Sequence, residues 1–270
     1  MSNVPDQWAA ASAYDDFMGR WSRQLAPLFV TWLRMPGGLH WLDVGCGTGA
    51  LASAICGHAQ PVSVLACDPA APFIDYARRH VEDARISFVV AGAGNLPQRE
   101  GGYGGVSSLL ALNFFSDPTA AVHEMRSLTA SQGVVSACVW DYAGRMEFLR
   151  HYWDAVVALD PSARKLDEGE RFPLCRPRAL VDVFQACGLR DVRCEPIEIQ
   201  TQFDSFDDYW RPLLGGTGPA PSYLASLDAD RRAALARNLR QALRQQAGGG
   251  ITLTARAWAI RGTPSCVGGA

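Results

Sequence analysis

Residues 42–49 read Leu42-Asp43-Val44-Gly45-Cys46-Gly47-Thr48-Gly49, an apolar strand end followed by three glycines at alternate positions. The small and apolar residues that come next, 50–55, predict a helix that packs on this strand. Glycine is favoured where the backbone turns with a positive φ, or where a ligand approaches with no Cβ in its way. A plain turn between strand and helix needs one glycine. Three of them therefore predict a ligand site at the helix N-terminus.

The composition predicts a globular protein with one sizeable core. The chain has 270 residues, of which 48% are hydrophobic and 19% charged. A formal net charge of −2 gives no general attraction to nucleic acid or to an anionic membrane. We expect no membrane span and no signal peptide. The eight cysteines form no C-x-x-C pair, so we expect no zinc or other metal site, no disulfide framework and a cytoplasmic location.

Strands and helices alternate along most of the chain, which is typical of a mainly parallel sheet covered by helices on both faces. Residues 6–35 predict two helices before the first strand, and a glycine-rich loop spans 92–105. Two aromatic-rich stretches, 141–177 and 203–247, interrupt the alternation and predict insertions. The strands predicted after the first are Val62–Cys67, Ile86–Val90, Val106–Leu112, Val134–Trp140, Val192–Ile199 and Ile251–Ile260.

Asp43 and the three glycines fill every slot of the hydrophobic-(D/E)-x-G-x-G-x-G motif of class I S-adenosylmethionine-dependent methyltransferases, and the resemblance extends over most of the chain. It implies an α/β, Rossmann-like fold with a seven-stranded mixed sheet, an antiparallel last strand and helical insertions. It also implies S-adenosyl-L-methionine as cofactor, S-adenosyl-L-homocysteine as product and a small-molecule acceptor. We expect an N-terminal helical cap over 1–38 and a methyltransferase domain over 39–270, whose insertions form the acceptor pocket.

Asp68 ends the second predicted strand, next to the glycine turn in such a sheet. A carboxylate there can accept hydrogen bonds from both ribose hydroxyls of an adenosine ligand, as an acid does in dinucleotide-binding folds. Aspartate is also a good N-cap for the helix that begins near Pro69. The position beside the glycines favours ribose binding.

The run after the third strand departs from the family. The family has G-D-A-x-x-L-P, whose acid binds the adenine amino group, whereas residues 91–97 place Gly92 in the acid position. We therefore expect adenine to be held by backbone groups near Ala93 and Gly94 and by Asn95.

The N-terminal run Tyr14-Asp15-Asp16-Phe17-Met18-Gly19-Arg20-Trp21 resembles the Y-D-x-F-x-G-R-W-S segment of many small-molecule methyltransferases. In those enzymes it closes over the methionine end of the cofactor. Packing against a sheet edge is the alternative, and both can hold. The complete predicted cofactor site is Tyr14, Arg20, Trp21, Asp43, Gly45, Cys46, Gly47, Asp68, Pro69, Ala93, Gly94, Asn95 and Leu112.

The run 112–118 resembles the L-N-F-x-x-D-P segment of quinone-biosynthesis C-methyltransferases. Ligands lie beyond the carboxyl ends of strands in such sheets, so Asn113 and Phe114 are predicted to face the acceptor. Trp153 and Trp210, from the two insertions, complete the predicted acceptor wall, which suits an aromatic or polyketide-like metabolite.

Methyl transfer by an SN2 reaction needs an acceptor aligned with the S–CH3 bond, and a hydroxyl or acidic carbon also needs a base. The candidates for that base are His151, Tyr142 and Asp141, although a lone histidine is more often structural than catalytic. The sequence leaves open the methylated atom and the oligomeric state.

Two other functions compete with methyl transfer. Gly45, Gly47 and Ala50 also fit the G-x-G-x-x-A pattern of nicotinamide enzymes, but Asp43 would repel a pyrophosphate beside it. A binding or regulatory protein that has kept the fold and lost turnover is the second alternative, which the altered adenine motif favours.

Overall fold

The computed structural model describes residues 14–215, 218–243 and 249–265. Part of the N-terminal segment, 6–13, and residues 216–217 and 244–247 of the second predicted insertion therefore lie outside the described residues. The strands of the described part are β1 (His40–Val44), β2 (Ser63–Asp68), β3 (Ile86–Val90), β4 (Tyr103–Leu109), β5 (Thr129–Trp140), β6 (Leu189–Phe203) and β7 (Ile251–Pro264).

These strands form a seven-stranded sheet in the order β3-β2-β1-β4-β5-β7-β6. β1 pairs in parallel with both β2 and β4, and the parallel pairing continues to β3 on one side and β5 on the other. β7 is antiparallel. The predicted fold class is therefore confirmed. Trp41, Leu42, Asp43 and Val44 are all buried, as expected of a central strand with both faces covered.

Helices accompany the strands in chain order, and a π-helical turn, Asp15–Gly19, precedes the first of them. No helix of the described residues is both long and apolar enough to cross a membrane. The helices are α1 (Arg20–Leu33), α2 (Ala50–His58), α3 (Ala71–His80), α4 (Pro118–Ser127), α5 (Glu147–Leu159), α6 (Glu168–Arg171), α7 (Pro177–Ala186), α8 (Phe206–Trp210), α9 (Pro219–Ser226) and α10 (Ala229–Ala242).

The predicted bounds of the fourth strand, Val106–Leu112, are wrong at both ends. β4 begins at Tyr103, so Gly105 lies in the strand rather than in the preceding loop. A Cβ on Gly105 would lie 2.5 Å from the indole of Trp41, so glycine leaves room for that ring. β4 ends at Leu109 because Leu110 adopts a positive φ of 60°, and a 3-10 turn, Leu112–Phe114, follows.

The chain divides into two compact units. The sheet unit comprises Ser22–Val139, Leu174–Ile197 and the residues from Ala257 onward, and it holds β1 to β4 whole. The insertion unit comprises the residues up to Trp21, Trp140–Pro173 and Glu198–Arg256. Most residues of the two predicted insertions thus share one unit. α1 divides between the units after Trp21, and the predicted cap over 1–38 stays a prediction.

Aromatic rings form the interior of the insertion unit. The ring centroids of Trp21 and Phe203 are 5.4 Å apart, those of Phe203 and Tyr209 are 5.3 Å apart, and Phe148 lies 6.1 Å from Phe17 and 6.2 Å from Phe203. All five side chains are buried. Edge-to-face pairs at such distances stabilise a core beyond the area they bury. These aromatic residues therefore join the start of α1 to both insertions.

Two side chains of α5 hold two consecutive carboxyl groups. Trp153 Nε1 donates a hydrogen bond to Glu168 Oε2, and the Arg150 guanidinium donates to Asp167 Oδ2. Burial raises the pKa of Glu168 to about 7. The residue's own backbone N–H and the Trp153 indole oppose this rise, and the charge of Asp167 adds to it. The carboxyl of Glu168 is therefore more readily protonated in the folded chain than in the unfolded chain.

We expect Glu168→Gln to remove a pH dependence of stability. The folded pKa is above the ordinary 4.5, so the contribution of Glu168 is complete below that value and is lost as the pH rises through about 7. Glu168 itself should account for a fall of at most about 1.4 kcal/mol per pH unit in the parent's free energy of unfolding in this window. Glu168→Gln should lack that fall, whereas Glu170→Gln, at an exposed site of the same helix, should keep it. Urea unfolding at a series of pH values measures this, and parallel profiles for the parent and Glu168→Gln would contradict it.

Candidate functional site

The glycine turn between β1 and α2 is held by the end of the neighbouring strand. Gly45, Gly47 and Gly49 all have positive φ, of 75°, 51° and 87°. The N–H groups of Gly45 and Cys46 both donate to the carbonyl of Cys67, at 2.8 and 2.9 Å. These bonds follow from the parallel register that places Val44 opposite Cys67. The sheet therefore fixes the start of the turn through these two hydrogen bonds.

The three glycines differ in what surrounds them. A Cβ on Gly45 would lie 2.6 Å from Ala111 Cβ, and one on Gly49 would lie 3.0 Å from the Val81 side chain. Both positions are thus filled by protein. A Cβ on Gly47 would meet only the Phe73 ring, at 3.8 Å. Open space lies at the middle glycine, where a ligand can approach the backbone.

Asp43 brings a carboxyl group into the interior just before the turn. The residue is 0% exposed, and neither carboxyl oxygen has a hydrogen-bond partner among the described residues. Burial raises the pKa of Asp43 to about 8; the backbone N–H of Ala52, which acts on the carboxyl without reaching hydrogen-bond geometry, opposes this rise, and the charge of Asp68 adds to it. A buried polar group without a partner is costly, which indicates a partner from outside the chain.

Asp68, at the end of β2, connects the turn with the next loop. Its Oδ2 accepts from the Gly47 N–H at 3.0 Å, and its Oδ1 accepts from the Ala70 N–H at 2.9 Å. Burial raises the pKa of Asp68, and these two N–H groups oppose the rise. A carboxylate has about four acceptor positions, so capacity remains for a ligand's hydroxyls. The backbone role does not replace the predicted ribose contact, which stays a prediction.

The loop after β3 is held by a residue that the sequence analysis did not select. Glu124, on α4, accepts from the Gly94 N–H with Oε2 and from the Leu96 N–H, at 2.8 Å, with Oε1. A Cβ on Gly92 would lie 3.1 Å from Pro69 Cβ, so the loop also packs close to the loop after β2. The backbone predicted to hold adenine is thus tied to α4, although Gly92 replaces the usual acid.

The loop after β4 packs on the glycine turn. Leu110 has a left-handed backbone and donates its N–H to Cys138 O at 2.7 Å. The Ala111 methyl group and the Phe115 ring both lie against Gly45. Asn113, which lies between these two residues in sequence, is 8% exposed, and neither end of its amide has a hydrogen-bond partner within the described ranges. Strained backbone in a well-packed structure is typical of functional loops.

The predicted catalytic residues lie in the insertion unit. Asp141 is buried, its Oδ2 accepts from the Arg145 N–H at 3.0 Å, and the Arg256 guanidinium lies 3.8 Å away. The Tyr142 ring lies 5.6 Å from that of Phe172, and His151 is half-buried on α5. The structure thus gives Asp141 a role in the turn before α5. The role of all three predicted residues as a base stays a prediction.

The other predicted residues of the insertion unit also have partners there. The Arg20 guanidinium lies over the rings of Trp21 and Phe203, at 4.3 and 4.7 Å, and pairs with Asp208 at 3.2 Å. Trp153 is 1% exposed, and the Trp210 ring stacks on Phe206. These contacts are packing contacts. The cofactor roles of Tyr14, Arg20 and Trp21, and the acceptor roles of Trp153 and Trp210, stay predictions.

Comparison with known proteins finds a methyltransferase domain in part of the chain. A family model described as a methyltransferase domain matches residues 42–133, which run from within β1 to within β5 and include the glycine turn, Asp68 and Asn113. No curated protein matches the chain in sequence.

Solved structures share the fold at low sequence identity. A protein of Anabaena variabilis, described as a methyltransferase from an antibiotic biosynthesis pathway, is 20% identical with a TM-score of 0.59, over 89% of this chain and 96% of that one. Phosphoethanolamine N-methyltransferase 2 of Haemonchus contortus is 15% identical with a TM-score of 0.58, over 94% of this chain and 56% of that one. SpnF, described as a [4+2]-cyclase, is 17% identical with a TM-score of 0.52, over 90% of this chain and 80% of that one.

The surroundings of the glycines predict unequal costs of substitution. Gly47→Ala should lower the free energy of unfolding by about 1–2 kcal/mol, because a residue with a Cβ is disfavoured at positive φ. Gly45→Ala should cost roughly 1–3 kcal/mol more, because its Cβ also collides with Ala111. Gly57→Ala, on α2 with open space around it, is the control and should be neutral or stabilising. Urea unfolding compares the three variants. Equal losses of the free energy of unfolding at Gly45 and Gly47 would contradict the difference in crowding between the two positions.

Proposed function

We propose that this chain, which carries a class I S-adenosylmethionine-dependent methyltransferase domain, transfers a methyl group to a small molecule in the cytoplasm. The observation that carries the proposal is the unpartnered carboxyl of Asp43 beneath the glycine turn. A cationic ligand group would give this carboxyl a partner and let it ionise. S-adenosylmethionine brings such a group, the ammonium of its methionine part.

The residues of the sheet unit suit the other parts of that cofactor. Asp68 has acceptor capacity left for the ribose hydroxyls, and Gly47 leaves room for a ligand beside the backbone. The Ala93–Asn95 backbone, tied to Glu124, is the proposed place for adenine. The buried Asp43 carboxyl beneath the turn gives a pyrophosphate no cationic partner. This argues against the nicotinamide alternative.

When bound, S-adenosylmethionine supplies a methyl group on a positively charged sulfur. The chain's own part is to bind the cofactor, to orient the acceptor and to exclude water. Asp43 would hold the ammonium of the methionine part and Asp68 the ribose, and both carboxyl groups are held in place by the sheet. Much of the rate of such a transfer comes from the alignment of the acceptor with the S–CH3 bond.

A small-molecule acceptor is supported by the relatives that share the fold. The Haemonchus structure is described as a complex with phosphomonomethylethanolamine and S-adenosylhomocysteine, and the Anabaena protein as part of an antibiotic pathway. We propose a natural product or secondary metabolite. The net charge of −2 does not favour nucleic acid.

The second candidate is a protein that binds the cofactor without methyl transfer. Its support is SpnF, which has this fold and is described as a [4+2]-cyclase. A turnover assay with S-adenosylmethionine over a metabolite panel separates the two functions. Calorimetry with NAD in parallel tests the nicotinamide alternative.

We expect Asp68→Ala to weaken the binding of S-adenosylhomocysteine by about tenfold to a hundredfold, because hydrogen bonds to a charged carboxylate are worth roughly 1.5–3 kcal/mol. Asp75→Ala, an exposed acid of α3 in the same unit, is the matched control and should bind as the parent does. Isothermal calorimetry measures both variants. Parental affinity in Asp68→Ala would rule out the proposed ribose contact.

We expect the binding of S-adenosylhomocysteine at pH 7 to release up to one proton. The pKa of Asp43 is about 8, so its carboxyl is mostly protonated in the free protein, and the ligand's ammonium should lower that pKa. The binding enthalpy should then differ between phosphate and Tris buffers. Asp43→Asn has no proton to release at this position, so the difference should vanish. An unchanged difference in Asp43→Asn would assign the proton to another group.

A further inference from the structure

Asn113 is a buried polar side chain that the proposed cofactor contacts leave unused. It is more than nine-tenths buried, and in the part of the chain that the structure describes, both its Nδ2 and its Oδ1 lack a hydrogen-bond partner. A buried amide left without its bonds costs free energy at both ends. The side chain therefore has one donor group and one acceptor for a molecule that comes from outside.

The backbone around Asn113 is fixed. The Phe114 N–H donates to Ala111 O at 2.9 Å, which closes the 3-10 turn, and the Leu110 N–H donates to Cys138 O. Leu110 holds a positive φ that a leucine rarely adopts. The turn cannot relax to pair the amide without losing these bonds, so the unpartnered state is maintained by its surroundings.

The turn lies beside the proposed cofactor site. Ala111 and Phe115, on either side of Asn113, both lie against Gly45. β4, which leads into the turn, pairs with β1, which leads into the glycines. Ligands of parallel sheets bind beyond such neighbouring carboxyl ends.

We propose that the Asn113 amide hydrogen-bonds the reacting group of the acceptor, and that this group is a nitrogen or oxygen that carries a proton. This rests on the proposed function. The amide oxygen accepts from an N–H or O–H, while a carbon nucleophile offers it no polar hydrogen. The amide NH2 donates to a second acceptor atom on the same molecule.

Such a bond positions the acceptor. It fixes the direction of the N–H or O–H and, with it, the lone pair that attacks the methyl carbon. In the transfer the acceptor atom bonds to that carbon, the carbon–sulfur electron pair remains on sulfur, and the acceptor's proton leaves to solvent. A neutral amide does not take up the proton, so Asn113 binds and positions the substrate without acting as the base.

The analogue sinefungin tests this without knowledge of the acceptor, since it carries an amine near the position of the transferred methyl. We expect Asn113→Ala to raise the dissociation constant of sinefungin about tenfold and to leave that of S-adenosylhomocysteine unchanged. The ratio of the two constants, S-adenosylhomocysteine over sinefungin, then falls about tenfold. Asn113→Asp keeps an acceptor oxygen and should keep the parent's ratio of the two dissociation constants. Asn238→Ala, the same change on α10, is the control for the substitution, and thermal unfolding checks that each variant folds.

The outcomes separate the two proposals. An unchanged ratio in Asn113→Ala overturns the inference, as does an equal loss of both ligands, which would make Asn113 a cofactor contact. Failure of the parent to bind either ligand overturns the proposed function itself.

Discussion

The site of the sheet unit depends on one buried carboxyl group, that of Asp43. It lies in the central strand with no hydrogen-bond partner among the described residues, and burial raises its pKa to about 8. Such a group lowers the stability of the fold, so packing elsewhere must offset it. A hydrocarbon side chain would fit a central strand better. The carboxyl is therefore best explained by a ligand that brings the missing partner.

The turn above Asp43 depends on three strand ends at once. Cys67 O and the Asp68 carboxylate, from β2, bind the N–H groups of the turn, and the loop after β4 packs on Gly45. These contacts exist only in the observed register, with Val44 opposite Cys67. A slip of one residue would reverse the faces of β1 and remove them. The precision of the site is thus a property of the sheet and not of a flexible loop.

The fold could be predicted from the sequence because its signals are local. The glycine run, and the pattern that predicts each strand or helix, involve only residues near one another in sequence. The support of the site could not be predicted, because its partners are distant in sequence. Glu124 binds the Gly94 N–H from 30 residues away, and Leu110 takes a conformation for which leucine has no preference. The missing partners of Asn113 have no signature in sequence at all.

The insertion unit shows where aromatic composition misleads. A ring at helical spacing predicts burial, but the pattern is the same whether the ring meets a ligand or another ring. Here Phe148, Phe203 and Tyr209 meet other rings, and Trp153 meets Glu168. Unpaired polar atoms discriminate better, because a packed core satisfies its own hydrogen bonds and a binding site leaves some for its ligand. By that criterion Asp43 and Asn113 stand out among the described residues, because each has two buried polar atoms without a partner, whereas the buried indoles of Trp21, Trp41 and Trp140 have one each.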